Sequence, residues 1–140
     1  MKQLLLIITL FFLSSGAIAQ NVEPDTTKEE IFTYVEQMPS FPGGEQAMYQ
    51  YIKENQRYPE EAMEEGIEGR VYVRFIVSAT GAIKNVECMK AADTSLKAEA
   101  IRLISSMPLW ISGKQNGRAV SVYFTLPISF KLEHETEEKE

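Results

Sequence analysis

Catalysis needs titratable groups that converge, and this sequence spreads its candidates thinly. Its one histidine, His134, stands in a terminal run with Glu135, Glu137 and Glu138. Those donors could trap a cation loosely, but no helix or strand pattern fixes a second ligand, so the reading is a solvated tail. Asp25 lies in a polar stretch and Asp93 at the start of a helical pattern. Glu60, Glu61, Glu64, Glu65, Glu68 and Glu87 could supply the two carboxylates of a hydrolase, yet nothing in their spacing selects a pair. Gly-x-Ser-x-Gly, His-Glu-x-x-His and Cys-x-x-Cys are all missing from the sequence. Gly43-Gly44 has no Lys-Ser/Thr after it and no strand before it, so it reads as a turn rather than a phosphate loop. Cys88 is the only cysteine; it can form no internal disulfide and reads as a small buried side chain on a strand. The expectation is a chain that is not an enzyme and carries no cofactor or metal.

What must be positioned, then, is a binding surface, and the bulk numbers limit its scaffold. A chain of 140 residues with 44% hydrophobic composition forms one domain with tails. Leu4 to Leu13 is almost wholly apolar, and Ala17-Ile18-Ala19 before Gln20 has the small-x-small form of a signal-peptidase site. The run is short of the ~20 residues that span a bilayer, which favours a cleaved secretory signal over 1–19 against an inner-membrane anchor. Cleavage removes Lys2 and takes the formal charge from −6 to −7. So acidic a chain is unsuited to nucleic acid or an anionic membrane.

Residues 20–40 show no sustained periodicity and read as a linker, within which Ile31, Phe32, Tyr34 and Val35 could form a short strand or docking segment. Glu45 opens a helix with Met48, Tyr51 and Ile52 on one side, ended by Asn55-Gln56-Arg57. A second short helix spans Pro59 to Glu65 and stops at Gly66. Val71, Val73, Phe75 and Val77 then alternate with Tyr72, Arg74 and Ile76, the period of a strand with one apolar face. Ser78 to Gly81 turns the chain, and Ile83 to Met89 returns with Val86 and Cys88 inward. Asp93, Thr94 and Ser95 offer cap oxygens to a helix carrying Leu96, Ala100, Leu103, Ile104 and Met107. Trp110 follows Pro108 in a loop and is expected to close the core. After the tight-turn pair Asn116-Gly117, Val120, Val122, Phe124, Leu126, Ile128, Phe130 and Leu132 share one parity. Burying each gains ~1.5–3 kcal/mol, so the register of this long strand is strongly fixed. Pro127 assigns it to an edge or a bulge. The fold class expected is α+β with two layers: a three-stranded antiparallel sheet, order 2-1-3, covered by helices.

These residues carry a resemblance. Tyr58-Pro59-Glu60-Glu61-Ala62, Gly66, Gly69, Val71-x-Val73-x-Phe75-x-Val77, Gly81-x-Ile83, Glu99-Ala100, Met107-Pro108-x-Trp110, Gly113, Asn116-Gly117, Val120-x-Val122 and Leu126-Pro127-Ile128-x-Phe130 closely resemble the TonB C-terminal domain family. The Phe41-Pro42-Gly43-Gly44 lead-in resembles the Bacteroidetes form of that domain. The likeness spans 41–132, leaving 133–140 as a charged tail. It implies a periplasmic module that grips the N-terminal box peptide of TonB-dependent outer-membrane receptors by strand addition in energised nutrient transport. An inner-membrane proton-motive complex would be its second partner. It implies partner-binding residues in the segment before Tyr-Pro, Asn55, Gln56, Arg57 and Tyr58. It implies others along the last strand: Ala119, Val120, Ser121, Val122, Tyr123, Phe124, Thr125 and Leu126. Long edges are usually protected, so the alternative is that Asn55 to Tyr58 only cap the first helix and that the Ile31 to Val35 segment, or a strand-exchanged homodimer mate, covers this edge. The linker 20–40 reaches at most roughly 70 Å when extended and holds no proline-rich rod, so a stand-alone module binding another periplasmic protein or the cell wall is the alternative reading.

Overall fold

The structure, a computed structural model, describes residues 29–133. The expected signal 1–19, the first part of the expected linker and the tail with His134 lie outside the described residues. In chain order the elements are β1 (Ile31–Phe32), α1 (Glu45–Asn55), α2 (Glu60–Glu64), β2 (Gly69–Val77), β3 (Ile83–Ala91), α3 (Thr94–Ser105), β4 (Gly113–Gln115) and β5 (Arg118–Phe130).

The β2 strand is the hub of the sheet. It pairs antiparallel with β5 from Gly69↔Phe130 to Val77↔Val122 without a slip, and antiparallel with β3 on its other side. The unbroken register sets Val71, Val73, Phe75 and Val77 beside Ile128, Leu126, Phe124 and Val122, two apolar rows on one face. That face meets Leu96, Ala100, Leu103 and Ile104 of α3, all fully buried. On β3 the pairing slips twice, skipping one residue near Asn85, whose φ is 50°, and another at Met89. Each bulge flips the parity of the strand, which is how Ile83 and Ala91 reach the core along with Val86 and Cys88.

Local chemistry sets the element ends. The Asp93 carboxylate accepts from the Ser95 N–H at 2.9 Å and caps α3. Gly44 N–H donates to Phe41 C=O at 2.9 Å, closing a turn with Pro42 second and Gly43 third at φ 89°; this is the turn read for the glycine pair. Asn116 and Gly117, both at positive φ, close the β4–β5 hairpin.

The three long strands take the expected order, β3-β2-β5, within the expected α+β architecture. The sheet is nonetheless larger than three strands. β1 lies parallel on the outer side of β5, pairing Ile31↔Ser121 and Phe32↔Val122, and β4 pairs with its beginning. Two residues have no readable period, so nothing in Ile31-Phe32 itself specified a partner so distant in sequence.

Candidate functional site

Trp110 anchors the region. It is 4% exposed and sits edge-on to Phe41, Phe75 and Phe124, with ring centroids 5.8, 5.3 and 5.1 Å away. Its backbone N–H donates to Gly81 C=O at 2.8 Å, tying the loop after α3 to the β2–β3 turn. Gly81 has φ 86°, and a Cβ there would collide with the Trp110 carbonyl oxygen, so only glycine allows this approach. The indole Nε1 is buried without a hydrogen-bond partner. Trp110 therefore closes the core, as read from the sequence.

Phe124 carries this packing to the rim of the sheet. Beyond it, β5 has β2 on one side and, from Tyr123 onward, no strand on the other among the described residues. In a regular antiparallel ladder, both backbone groups of alternate residues point to the same side. The Ser129 carbonyl accepts from Gln56 Nε2 at 2.9 Å, and Gln56 lies off the sheet, so Ser129 belongs to the outward set. Tyr123, Thr125 and Pro127 then share that set. Pro127 lacks an N–H where none is needed by β2, which explains its place inside the strand. The open edge offers the carbonyls of Tyr123, Thr125 and Pro127 and the N–H of Thr125.

Grooves flank this edge on both faces. On the helix side, a groove of about 390 Å³ runs along Phe124 to Pro127 and is walled by Phe41, Met48, Tyr49 and Trp110, with Glu45 at its lip. On the opposite face, one of about 480 Å³ is lined by Tyr123 and Thr125 with Thr33, Tyr34, Met38 and Arg74. The Arg74 guanidinium lies 4.9 Å from the Tyr123 ring centroid and pairs with Glu87 at 2.9 Å.

Of the residues expected on the edge, Tyr123, Phe124, Thr125 and Leu126 lie along its open part. Ala119 and Val120 are paired into the β4 hairpin, while Ser121 and Val122 are paired with β1. The expectation of a free edge from Ala119 is thus corrected: the outer side opens at Tyr123, because β1 occupies the stretch before it.

Asn55 ends α1 and Gln56 to Tyr58 lead on towards α2, and each of the four is tied down. Glu99, only 8% exposed on α3, accepts from the Arg57 N–H at 2.5 Å and is ion-paired with Arg102. Arg102 also donates to the Asn55 carbonyl at 2.9 Å, and its proton is held more tightly than usual, chiefly by the hydrogen bond to Glu99. Tyr58 donates its hydroxyl to Ile67 C=O and packs edge-on to Phe130; burial, then the charge of Glu68, pushes its phenol above the usual value. Two residues join this segment directly to β5: Gln56 through its hydrogen bond to Ser129, and Tyr58 through its ring on Phe130. The sequence marks the segment but not its holder: Glu99 stands out only within the Glu99-Ala100 motif, and its i,i+3 spacing to Arg102 is the available signal.

Among the described residues no cluster of His, Cys, Asp and Glu could hold a metal, and no helix is long and apolar enough to cross a membrane. No curated protein matches the chain. Among solved structures, two NMR structures of the Helicobacter pylori TonB C-terminal domain are similar. The longer is 27% identical, covers 63% of this chain and 79% of that one, and has a TM-score of 0.49. The shorter is 26% identical, covers 64% and 95%, and has a TM-score of 0.50. The family model described as Gram-negative bacterial TonB protein C-terminal matches residues 54–132, from the end of α1 to just past β5 and more than half of the chain, so this chain belongs to the TonB C-terminal domain family.

Proposed function

We propose that this chain grips the N-terminal box peptide of a TonB-dependent outer-membrane receptor by adding it as a strand to the outer edge of β5, in energised nutrient transport. The observation that carries the reading is the unpaired edge from Tyr123 to Pro127 with a groove on each face. In strand addition the main-chain bonds give affinity, and pockets on alternate faces select side chains. Asn55 to Tyr58, joined to the far end of the edge through Gln56 and Ser129, form the second part of the surface. On this reading the mature chain starts at Gln20 and works in the periplasm, which intact-mass measurement of the envelope form checks.

Titration with a synthetic receptor N-terminal peptide, followed by backbone-amide NMR, tests the site. Saturable shifts are expected at Tyr123 to Leu126 and at Asn55 to Tyr58. Thr125→Pro removes the one open donor of this edge without touching the β2 ladder, and is expected to weaken the peptide about tenfold or more, the loss of a well-made hydrogen bond. Shifts confined to β3, or no saturable shift with any receptor peptide, refute the proposal.

A further inference from the structure

We infer that the segment from Glu29 to Phe32 is a cover built into the chain: it occupies the start of the binding edge and must swing away before a peptide can pair from Ser121 onward. This rests on the strand-addition reading of β5 and adds how that edge is regulated.

The cover is lightly held. Only Ile31 and Phe32 are in the ladder, both are half-buried, and their pairing is parallel. Parallel pairing is slightly less stable per residue than antiparallel, and so short a strand is marginal by itself. Upstream of the pair, the Glu29 carboxylate accepts from the buried Ser121 hydroxyl. By the alternation that points Thr125 outward, Ser121 belongs to the same outward row. Releasing β1 would therefore lengthen the open edge backwards from Tyr123 to Ser121 and leave the β2 ladder untouched.

On its C-terminal side the cover runs into a firmly anchored stretch. Gln37 exchanges both backbone hydrogen bonds with Lys114, at 3.1 and 2.8 Å, and Ser40 does the same with Ile111, at 3.0 and 2.8 Å. Gly113 has no room for a Cβ against Val122, Gln37 and Pro39, and Phe41 is part of the core. The chain bends at Thr33 and Tyr34, both exposed and lining the outer groove with Tyr123 and Thr125. Between cover and anchor, one hydrogen bond is present among the described residues, the Glu36 N–H donating to the Gln115 side chain at 3.0 Å, and Val35 is half-buried. A hinge at Thr33 to Glu36 can thus release 29–32 without disturbing the core.

Glu29-Glu30-Ile31-Phe32-Thr33-Tyr34-Val35 is rich in residues that favour strands, so the chain's own segment is a competent occupant of its own edge. A peptide that needs the covered stretch binds with its affinity reduced by the fraction of molecules whose cover is open.

Three forms of the full chain test this: wild type, an open form (Ile31→Asp with Phe32→Asp), and a locked form. The last is Ile31→Cys with Ser121→Cys, partners across the β1–β5 ladder, in a Cys88→Ser background, with the disulfide verified by mass. The unfolding midpoint is checked for each. A synthetic copy of residues 29–35 added to the open form is expected to return the amides of Ser121 to Phe124 to their wild-type positions. The receptor peptide is expected to bind the open form about tenfold more tightly than wild type, and the locked form only weakly until the disulfide is reduced. Equal affinity for all three forms overturns the cover and leaves the edge reading standing. Failure of the 29–35 copy to produce a saturable shift at Ser121 to Phe124 of the open form also overturns it. If that copy docks but no receptor peptide binds any form, the cover is upheld and the receptor reading falls.

Discussion

Replacing Trp110 by alanine should unfold this domain at markedly lower temperature, and its surroundings set the size of the effect. Truncating a buried tryptophan costs ~3–5 kcal/mol through lost transfer energy and the cavity left behind. The upper part of that range suits this site, where three aromatic rings contact the indole. One effect works the other way. Nε1 is buried with no partner, and an unmet buried donor costs ~1–3 kcal/mol that the substitution relieves. The net expectation is about 3 kcal/mol, or a fall in Tm of roughly 12–24 °C for a domain of this size. Trp110→Phe separates the two effects, since it keeps an aromatic ring in the cluster and deletes the N–H; it should lie within ~1 kcal/mol of wild type. Urea unfolding followed by far-UV circular dichroism is the suitable assay, because the substitution removes the only tryptophan fluorophore. A loss under ~1 kcal/mol for the alanine variant would refute the core assignment. Equal losses for alanine and phenylalanine would refute the account of the N–H.

Gly81→Ala combines a strained φ of 86° with a collision at the Trp110 carbonyl, and should cost more than ~2 kcal/mol in the same assay. Tyr58 titrates above its ordinary value of 10.0 in the folded chain, so its contribution is complete below that pH and is lost as pH rises through the folded pKa. Tyr58→Phe should therefore flatten the alkaline limb of a stability–pH curve while losing ~0.5–1.5 kcal/mol near neutrality with the bond to Ile67. The Asp93 carboxyl is held below 3.8 by the hydrogen bonds from the Ser95 side chain and backbone. Its cap should accordingly be complete above the ordinary carboxylate range and fail as pH falls below it, an acid-side step that Asp93→Asn should abolish in a pH series of unfolding midpoints.

Where a single period runs unbroken, the sequence is legible. The rows Val71 to Val77 and Val122 to Phe130 pair without a slip, and each row could be read by counting in twos because one face is buried throughout. On β3 the same count fails, because the two bulges change the parity and let odd-numbered Ile83 and Ala91 share a face with even-numbered Val86 and Cys88. A bulge leaves little local mark when its residue is Asn85 rather than glycine. The extent of the free edge was hidden for a different reason. Pro127 signalled an edge, but whether that edge was open depended on Ile31 and Phe32, whose pairing with Ser121 and Val122 is fixed by tertiary contact and not by any pattern of their own. Likewise the glutamine that marks the outward row, Gln56, meets Ser129 far away in sequence, a contact that no local pattern marks.

Phe124 makes the core and the edge one mechanical unit. Its ring packs on Phe75 and Trp110, with centroids 5.7 and 5.1 Å away, and the same residue walls both grooves. An edge strand that was free to twist would have to be ordered when a peptide joined it, at ~0.5–1.5 kcal/mol for each side chain immobilised. Here the order is supplied in advance by the aromatic cluster, so the directions of the Thr125 N–H and carbonyl are set before any ligand arrives. If a peptide adds to this edge as proposed, loosening Trp110 should weaken its binding as well as the fold, through the ring of Phe124.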